Sequence, residues 1–231
     1  MTSASPSRNR TGPRRTTAVC LVSGGMDSFV AAAVAREEGW QPFCLTVSYG
    51  QRHRREIACA RRIAAFLGAG HRVVSLDLSW TRSALTDRSV PVPDGETAGI
   101  PPTYVPARNT IFISLALACA EVLDAGAIFT GMTAVDFSGY PDCRPDYLAA
   151  FQALVDRATK KTAEGGTIVL RAPLLELSKA EIVRLGIRLG LDFSITWSCY
   201  RGGRKPCGRC PSCLLRARGF SEAGVPDPLL R

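Results

Sequence analysis

"TAVCLVSGGMDSFV", residues 17–30, runs an unbroken apolar stretch into two glycines, an acid and a second serine before apolar residues resume. The first six residues, 17–22, have no polar interruption and predict a strand buried on both faces. Residues 26–38 predict a helix that stops before Gly39. Between them Ser23, Gly24 and Gly25 let the backbone turn tightly, so that successive N–H groups face an anion at the helix N-terminus. Ser23 and Ser28 add hydroxyl donors. A Walker loop would carry a lysine here, and this stretch has Asp27 instead. A carboxylate beside phosphate oxygens is a common magnesium environment, so the expected ligand is a nucleotide phosphate with Mg²⁺. The plain alternative is a Gly-Gly turn.

Working outward, short apolar runs alternate with helical patterns. Strands are expected over 42–49, 72–78, 127–132 and 167–173. Helices are expected over 52–67, 109–124, 146–161 and 179–189. That alternation predicts an α/β fold, a doubly wound parallel sheet of Rossmann-like type. In such sheets ligands sit beyond the carboxyl ends of the strands, where segments 23–28, 48–53, 103–109 and 131–144 should converge. Residues 86–107 form a Pro/Gly-rich loop too long to serve only as a connection.

The chain has 231 residues and a formal charge of +9. Four arginines fall in residues 1–17 and six basic groups in 199–218; the remainder carries 19 basic and 20 acidic groups. The domain body is therefore neutral, and the excess reads as a solvated tail plus one C-terminal segment; a nucleic-acid arm is the rival reading. The longest apolar run, 111–120, is about half the ~20 residues a bilayer crossing needs. Residues 1–17 lack the apolar stretch of a secretory signal. A cytoplasmic protein with no membrane partner is expected.

The string S-G-G-x-D-S resembles the PP-loop ATP pyrophosphatases, of the adenine nucleotide α hydrolase-like class. The resemblance implies cleavage of ATP between the α and β phosphates, with ATP held by Leu21, Val22, Ser23, Gly24, Gly25, Met26, Asp27, Ser28 and Gly131. No lysine on the γ-phosphate is needed when the transferred group is adenylate. Three further stretches, "SYGQRHRREI" (48–57), "YVPARNTIF" (104–112) and "GMTAVDFSGYPDCR" (131–144), resemble the 7-cyano-7-deazaguanine synthase family, over about Ala18 to Arg218. The resemblance implies a carbon–nitrogen ligase of queuosine precursor biosynthesis. Its substrates would be 7-carboxy-7-deazaguanine, ammonia and ATP, and its product a nitrile formed through adenylated carboxylate, amide and adenylated amide. Relatives suggest a homodimer.

Catalytic roles are expected for Asp27, Arg108, Asn109 and Lys179. Arg108 suits a carboxylate or phosphate at a loop-to-helix junction, whereas Asn109 could simply cap that helix. Lys179 matches the family's late-helix position, with a surface lysine as the rival reading. Substrate contacts are expected from Tyr49, Arg52, His53, Tyr104, Asp136, Ser138, Tyr140, Asp142 and Arg144. A deazaguanine presents ring N–H and amino donors, so a carboxylate is a natural partner and an aromatic a natural platform; which acid serves is open. Arg54, Arg55, Arg61 and Arg62 read as a solvated helix face, and His71 as structural. The family carries glycine where this chain has Ala107, a change that matters only if that position needs positive φ.

Of nine cysteines, four stand at Cys199, Cys207, Cys210 and Cys213, spaced C-x7-C-x2-C-x2-C. This reads as a tetrahedral, structural Zn²⁺ knuckle, with an iron–sulfur cluster as the alternative. Six nearby basic groups would offset its charge. Cys20, Cys44 and Cys119 read as buried thiols, Cys59 as helical, and Cys143 as lying in a polar loop. The organisation expected is a disordered basic tail (1–17), a PP-loop catalytic domain (18–198), a zinc segment (199–218) and a C-terminal tail (219–231). Two rivals remain: a tRNA-thiolating PP-loop enzyme, and a zinc-knuckle nucleic-acid binder. The second leaves S-G-G-x-D-S unexplained.

Overall fold

The computed structural model describes residues 16–95, 99–134 and 140–230. The expected basic tail therefore lies, but for its last two residues, outside the described part, as do Asp136 and Ser138.

Five parallel strands, β1 (Thr17–Leu21), β2 (Gln41–Ser48), β3 (Gly70–Ser75), β4 (Ala127–Phe129) and β5 (Val169–Arg171), form one sheet in the order β3-β2-β1-β4-β5. The strand order turns back between β1 and β4. The crevice of a doubly wound sheet opens at that point, and both flanking strands lead into glycine-bearing loops.

The alternation of side chains along β1 builds both halves of the core. Ala18, Cys20 and Val22 join Phe29, Ala33, Ile63 and Ile182 under α1 (Met26–Glu37), α2 (Arg55–Leu67) and α6 (Lys179–Arg188). Val19 faces the other way, toward Ile113, Ile128 and Phe151 under α3 (Arg108–Val122) and α4 (Pro145–Ala158). Side chains such as Phe29 and Ile113 are fully buried, each stabilising by about 1.5–3 kcal/mol.

Element boundaries depart from the sequence reading where side chains or loops intervene. The helix expected from 52 begins at Arg55, because the Arg52 amide donates to the Leu85 carbonyl instead of entering a helix. The strand expected over 127–132 ends at Phe129, and the chain then peels off to line the crevice. The helix expected over 146–161 breaks at Thr159, which caps the short α5 (Lys160–Ala163) reciprocally with Thr162. Helix α7 (Pro211–Glu222) was not expected at all. It starts with a proline inside the cysteine cluster and runs through position 218, where the zinc segment and the tail were divided. Beyond it, Asp227 and Arg216 form a buried bidentate pair at 2.7 and 2.9 Å, with Arg216 also donating to Thr196 at 2.7 Å. The C-terminal segment is thus packed onto the domain rather than trailing from it.

Candidate functional site

The residues after β1 make a hydrogen-bonded loop. The Ser23 amide donates to Ser28 Oγ at 3.2 Å, the Gly25 amide to Ser23 Oγ at 3.3 Å, and Ser28 Oγ to the Gly25 carbonyl at 3.0 Å. Gly24 has φ +99°, and a Cβ there would lie 2.1 Å from the Glu56 carbonyl oxygen, so only glycine fits. Gly25 occupies the N-cap of α1 without a side-chain cap, which leaves the first N–H groups of a twelve-residue helix for an outside acceptor. Gly131 allows the close approach from the other side. A Cβ there would stand 2.7 Å from the Ser28 nitrogen, so the segment after β4 rests directly on the backbone of the α1 N-terminus.

Over this loop opens a cavity of about 270 Å³. It is lined by Leu21, Val22, Ser23, Gly25, Met26, Asp27 and Gly131, by the expected catalytic residues Arg108 and Asn109 and, from the expected substrate set, by Tyr49, Arg52, His53 and Tyr140. Tyr104 is not in the lining. It stacks on Tyr140 at a centroid distance of 5.7 Å and so steadies that wall. Asp27 and Lys179 meet at 2.9 Å. Lys179 is only 5% exposed, which removes the surface reading of this residue. It is held against Gly219 of α7, where a Cβ would lie 2.4 Å from the lysine stem.

Arg108 is set among aromatic hydroxyls. Its guanidinium donates to Tyr49 Oη at 3.4 Å and lies 5.8 Å from the centre of that ring. Burial works to lower the Arg108 pKa, but nearby Tyr49, Tyr140 and Tyr200 outweigh it and hold the value above the ordinary one. The guanidinium is therefore a fixed positive charge in the cavity wall. Burial pushes the Tyr200 hydroxyl above its usual range, and the neighbouring Tyr140 adds to that, so the hydroxyl keeps its proton.

Several expected contacts serve the scaffold. Asp142 accepts from the Asn109 amide at 3.0 Å, placing a carboxylate at the N-terminus of α3. The Asn109 side chain in turn donates to the Asp142 carbonyl at 3.3 Å and contacts Cys143 Sγ at 3.2 Å. Asp142 is buried in this clasp and does not line the cavity. Cys143, read as lying in a polar loop, is likewise buried, with its thiol pushed up to about 11 by burial. Arg144 lies exposed at the start of α4. The Arg52 guanidinium donates to the carbonyls of Asp87 and Val90 and so ties down the start of the long loop expected from residue 86. Burial lowers the His53 pKa, which leaves a neutral ring packed against Trp197. His71 bonds Thr46, as a structural residue should. Arg55, read as solvated, places its guanidinium 4.5 Å over the Trp197 ring.

The sequence reading missed Glu56, Trp197, Ser198, Tyr200 and Ser212 in the cavity wall. Glu56 lay in a quoted stretch but looked like one more charge on a helix surface. Tyr200 could have been found from its place next to Cys199, which the cysteine cluster must bring close to the sheet.

The ligand atoms of Cys199, Cys207, Cys210 and Cys213 all lie within 4.8 Å of one another. Cys207 and Cys213 sulfurs are 3.9 Å apart. A tetrahedral ion with ~2.3 Å metal–sulfur bonds would set sulfurs roughly 3.8 Å apart, so the donor set fits a single tetrahedral ion. Amides of Cys207 and Cys210 donate to Cys199 Sγ and Cys207 Sγ at 3.4 and 3.3 Å, as ligating thiolates require. Three of the six basic groups of this segment pair with acids: Arg201 and Arg209 reach Asp94 at 2.6 and 3.5 Å, and Arg216 reaches Asp227. A backbone link joins this segment to the phosphate loop, the Trp197 amide donating to the Gly24 carbonyl at 2.9 Å.

The model of the family described as "Queuosine biosynthesis protein QueC" matches residues 17–224. A protein of Anaeromyxobacter dehalogenans named 7-cyano-7-deazaguanine synthase is 57% identical over 219 residues, 91% of this chain and 94% of that one. Proteins of the same name from Saccharophagus degradans and Frankia casuarinae are each 54% identical, covering 91% and 93% of this chain and 96% and 93% of theirs. Among solved structures, a 4-thiouridine synthetase–RNA complex with bound ATP aligns with a TM-score of 0.48 at 18% identity, over 90% of this chain and 50% of that one.

Proposed function

Since the chain belongs to the queuosine biosynthesis protein QueC family, we propose that it is an ATP-dependent carbon–nitrogen ligase making 7-cyano-7-deazaguanine from 7-carboxy-7-deazaguanine and ammonia. The observation that carries this reading is the placement of the Arg108 guanidinium, ringed by tyrosine hydroxyls, in the wall of a cavity whose floor is the phosphate loop. A carboxylate held by Arg108 would face the α-phosphate of an ATP whose departing phosphates sit on the α1 N-terminus.

The steps balance without water. A substrate carboxylate oxygen attacks the α-phosphorus, the α–β anhydride breaks, and pyrophosphate leaves. Ammonia attacks the carbonyl carbon, AMP leaves with one substrate oxygen, and the amide remains. The amide oxygen then attacks a second α-phosphorus as the nitrogen loses a proton. AMP leaves with the second substrate oxygen, the nitrogen loses its last proton, and the nitrile forms. No protein nucleophile takes part, so the enzyme's contribution is positioning and charge stabilisation.

Within this reading, the amides of Gly25 to Ser28 hold the departing phosphates and Asp27 would hold Mg²⁺, which screens their charge. Lys179, now paired to Asp27, is placed to follow the pyrophosphate. Tyr140, braced by Tyr104, forms the aromatic wall for the base. Cys199, Cys207, Cys210 and Cys213 would hold a structural Zn²⁺, since four thiolates leave no open position. Their close spacing favours one ion over a multi-iron cluster. The domain is read as catalytic from 18 to 198, with the metal segment and α7 closing it; a dimer is carried over from the resemblance alone.

The test is incubation of the purified protein with 7-carboxy-7-deazaguanine labelled with ¹⁸O in both carboxylate oxygens, ammonium, Mg²⁺ and ATP. Nitrile accompanied by two molecules of AMP, each carrying one label, is the expected result. Amide alone would shorten the sequence by one activation. ATP binding without turnover of this base would overturn the substrate assignment while leaving the loop reading intact.

A further inference from the structure

Two carboxylates, Asp27 and Glu56, stand among the described residues lining the cavity. Asp27 is committed to Lys179 at 2.9 Å. Glu56 has no hydrogen-bond or salt-bridge partner among the described residues, although it lies in the first turn of α2 directly after Arg54 and Arg55. Its backbone packs so tightly on Gly24 that a Cβ on that glycine would lie 2.1 Å from the Glu56 carbonyl oxygen. Glu56 is thereby anchored beside the phosphate loop, across from the Arg108 charge.

The reaction proposed above has an unmet need at this place. Ammonium must lose a proton before it attacks, and the amide must lose two N–H protons before a nitrile exists. Phosphates and Arg108 attend to oxygen, and nothing so far described attends to nitrogen. We propose that Glu56 is the proton acceptor at the substrate nitrogen in both amide formation and amide dehydration. In amide formation an N–H bond breaks with its electron pair going to nitrogen, the proton passes to a Glu56 carboxylate oxygen, and AMP departs with the first substrate oxygen. In dehydration the first N–H proton passes to Glu56 as the amide oxygen displaces pyrophosphate; Glu56 gives it up to solvent and takes the second as AMP departs with the second oxygen. This inference rests on the function proposed above.

The environment suits a group that must both take and release a proton near neutrality. Burial raises the Glu56 pKa to about 7, against the lowering influence of Arg108, with Cys199 adding a smaller upward push. The groups facing it are Arg108 from α3, Tyr49 from the end of β2, Tyr200 and Cys199 from the C-terminal segment, and Cys59 on its own helix. A general base is most effective when its pKa lies near the operating pH.

The experiment separates steps that break N–H bonds from the one that does not. Glu56→Gln is compared with the natural protein in pyrophosphate release from carboxylate and ATP without ammonia, and in nitrile formation from the preformed amide with ATP. The expected result is a fall of about 100-fold in nitrile formation, in the range general base catalysis supplies, with adenylation of the carboxylate within about threefold. The acidic limb of the natural enzyme's rate–pH profile, centred near 7, should vanish in the variant. Glu56→Asp, which keeps a carboxylate, should recover part of the rate and the acidic limb. Equal losses in both half-reactions would overturn the proposal and make Glu56 a magnesium ligand or a reader of the base edge. Unchanged rates in both would also overturn it. If the natural protein turns over none of these substrates, the proposal falls with the function it rests on; if it does and Glu56→Gln matches it, only the role of Glu56 falls.

Discussion

Ala107 sits with φ 53° and ψ 23°, in the left-handed region, at the N-cap of α3 immediately before Arg108. The position therefore does require positive φ, the condition under which the missing family glycine would matter. The left-handed conformation costs an L-residue roughly 1–2 kcal/mol, and glycine would return about 0.4–1 kcal/mol of that through the freer unfolded chain. Ala107→Gly is accordingly expected to stabilise the protein by about 0.5–1 kcal/mol and to raise its melting temperature by a few degrees, as read in a thermal melt. Arg108 should keep its place, since the backbone already has the geometry glycine prefers. A lower melting temperature would mean that the methyl group makes contacts worth more than the backbone strain.

At the scale of elements, the crevice is a meeting of two chain segments that only glycine permits. Gly131→Ala puts a methyl group 2.7 Å from a backbone nitrogen of α1, an atom that cannot swing aside as a side chain can. ATP affinity is expected to drop at least tenfold while circular dichroism shows the helices intact; affinity unchanged in an equilibrium binding assay would refute the role given to this contact. The strands and the phosphate loop were legible in the sequence because continuous apolar runs and S-G-G-x-D-S are local signals. The clasp between Asn109 and Asp142 was not, because its partners are 33 residues apart and meet only when the segment around Asp142 folds against the start of α3. The second task of Arg52 was hidden for a related reason: it lines the cavity as expected, but nothing local reveals the two loop carbonyls 35 and 38 residues away that its guanidinium also meets. Glu56 was hidden by composition, whereas Lys179 was expected from the resemblance and only its burial was not legible. A charged residue in a helix's first turn is usually solvated; the place of Glu56 in the cavity lining and the ion pair of Lys179 with Asp27 show that both face inward.

Across the whole molecule, the cysteine cluster and the phosphate loop are the two ends of one short relay. Cys199 accepts through its carbonyl from the Trp197 indole at 2.9 Å, and the Trp197 amide donates to the Gly24 carbonyl at 2.9 Å. Cys210→Ser, or stripping of the metal by a chelator, is therefore expected to loosen the nucleotide loop and weaken ATP binding, measurable by calorimetry on metal-loaded and stripped protein. Binding free energies couple reciprocally. Whatever factor the protein loses in nucleotide affinity when the metal goes, it must gain in metal affinity when the nucleotide arrives. A protein saturated with ATP would then be its own safeguard against demetallation, and one starved of ATP would be the first to surrender its ion.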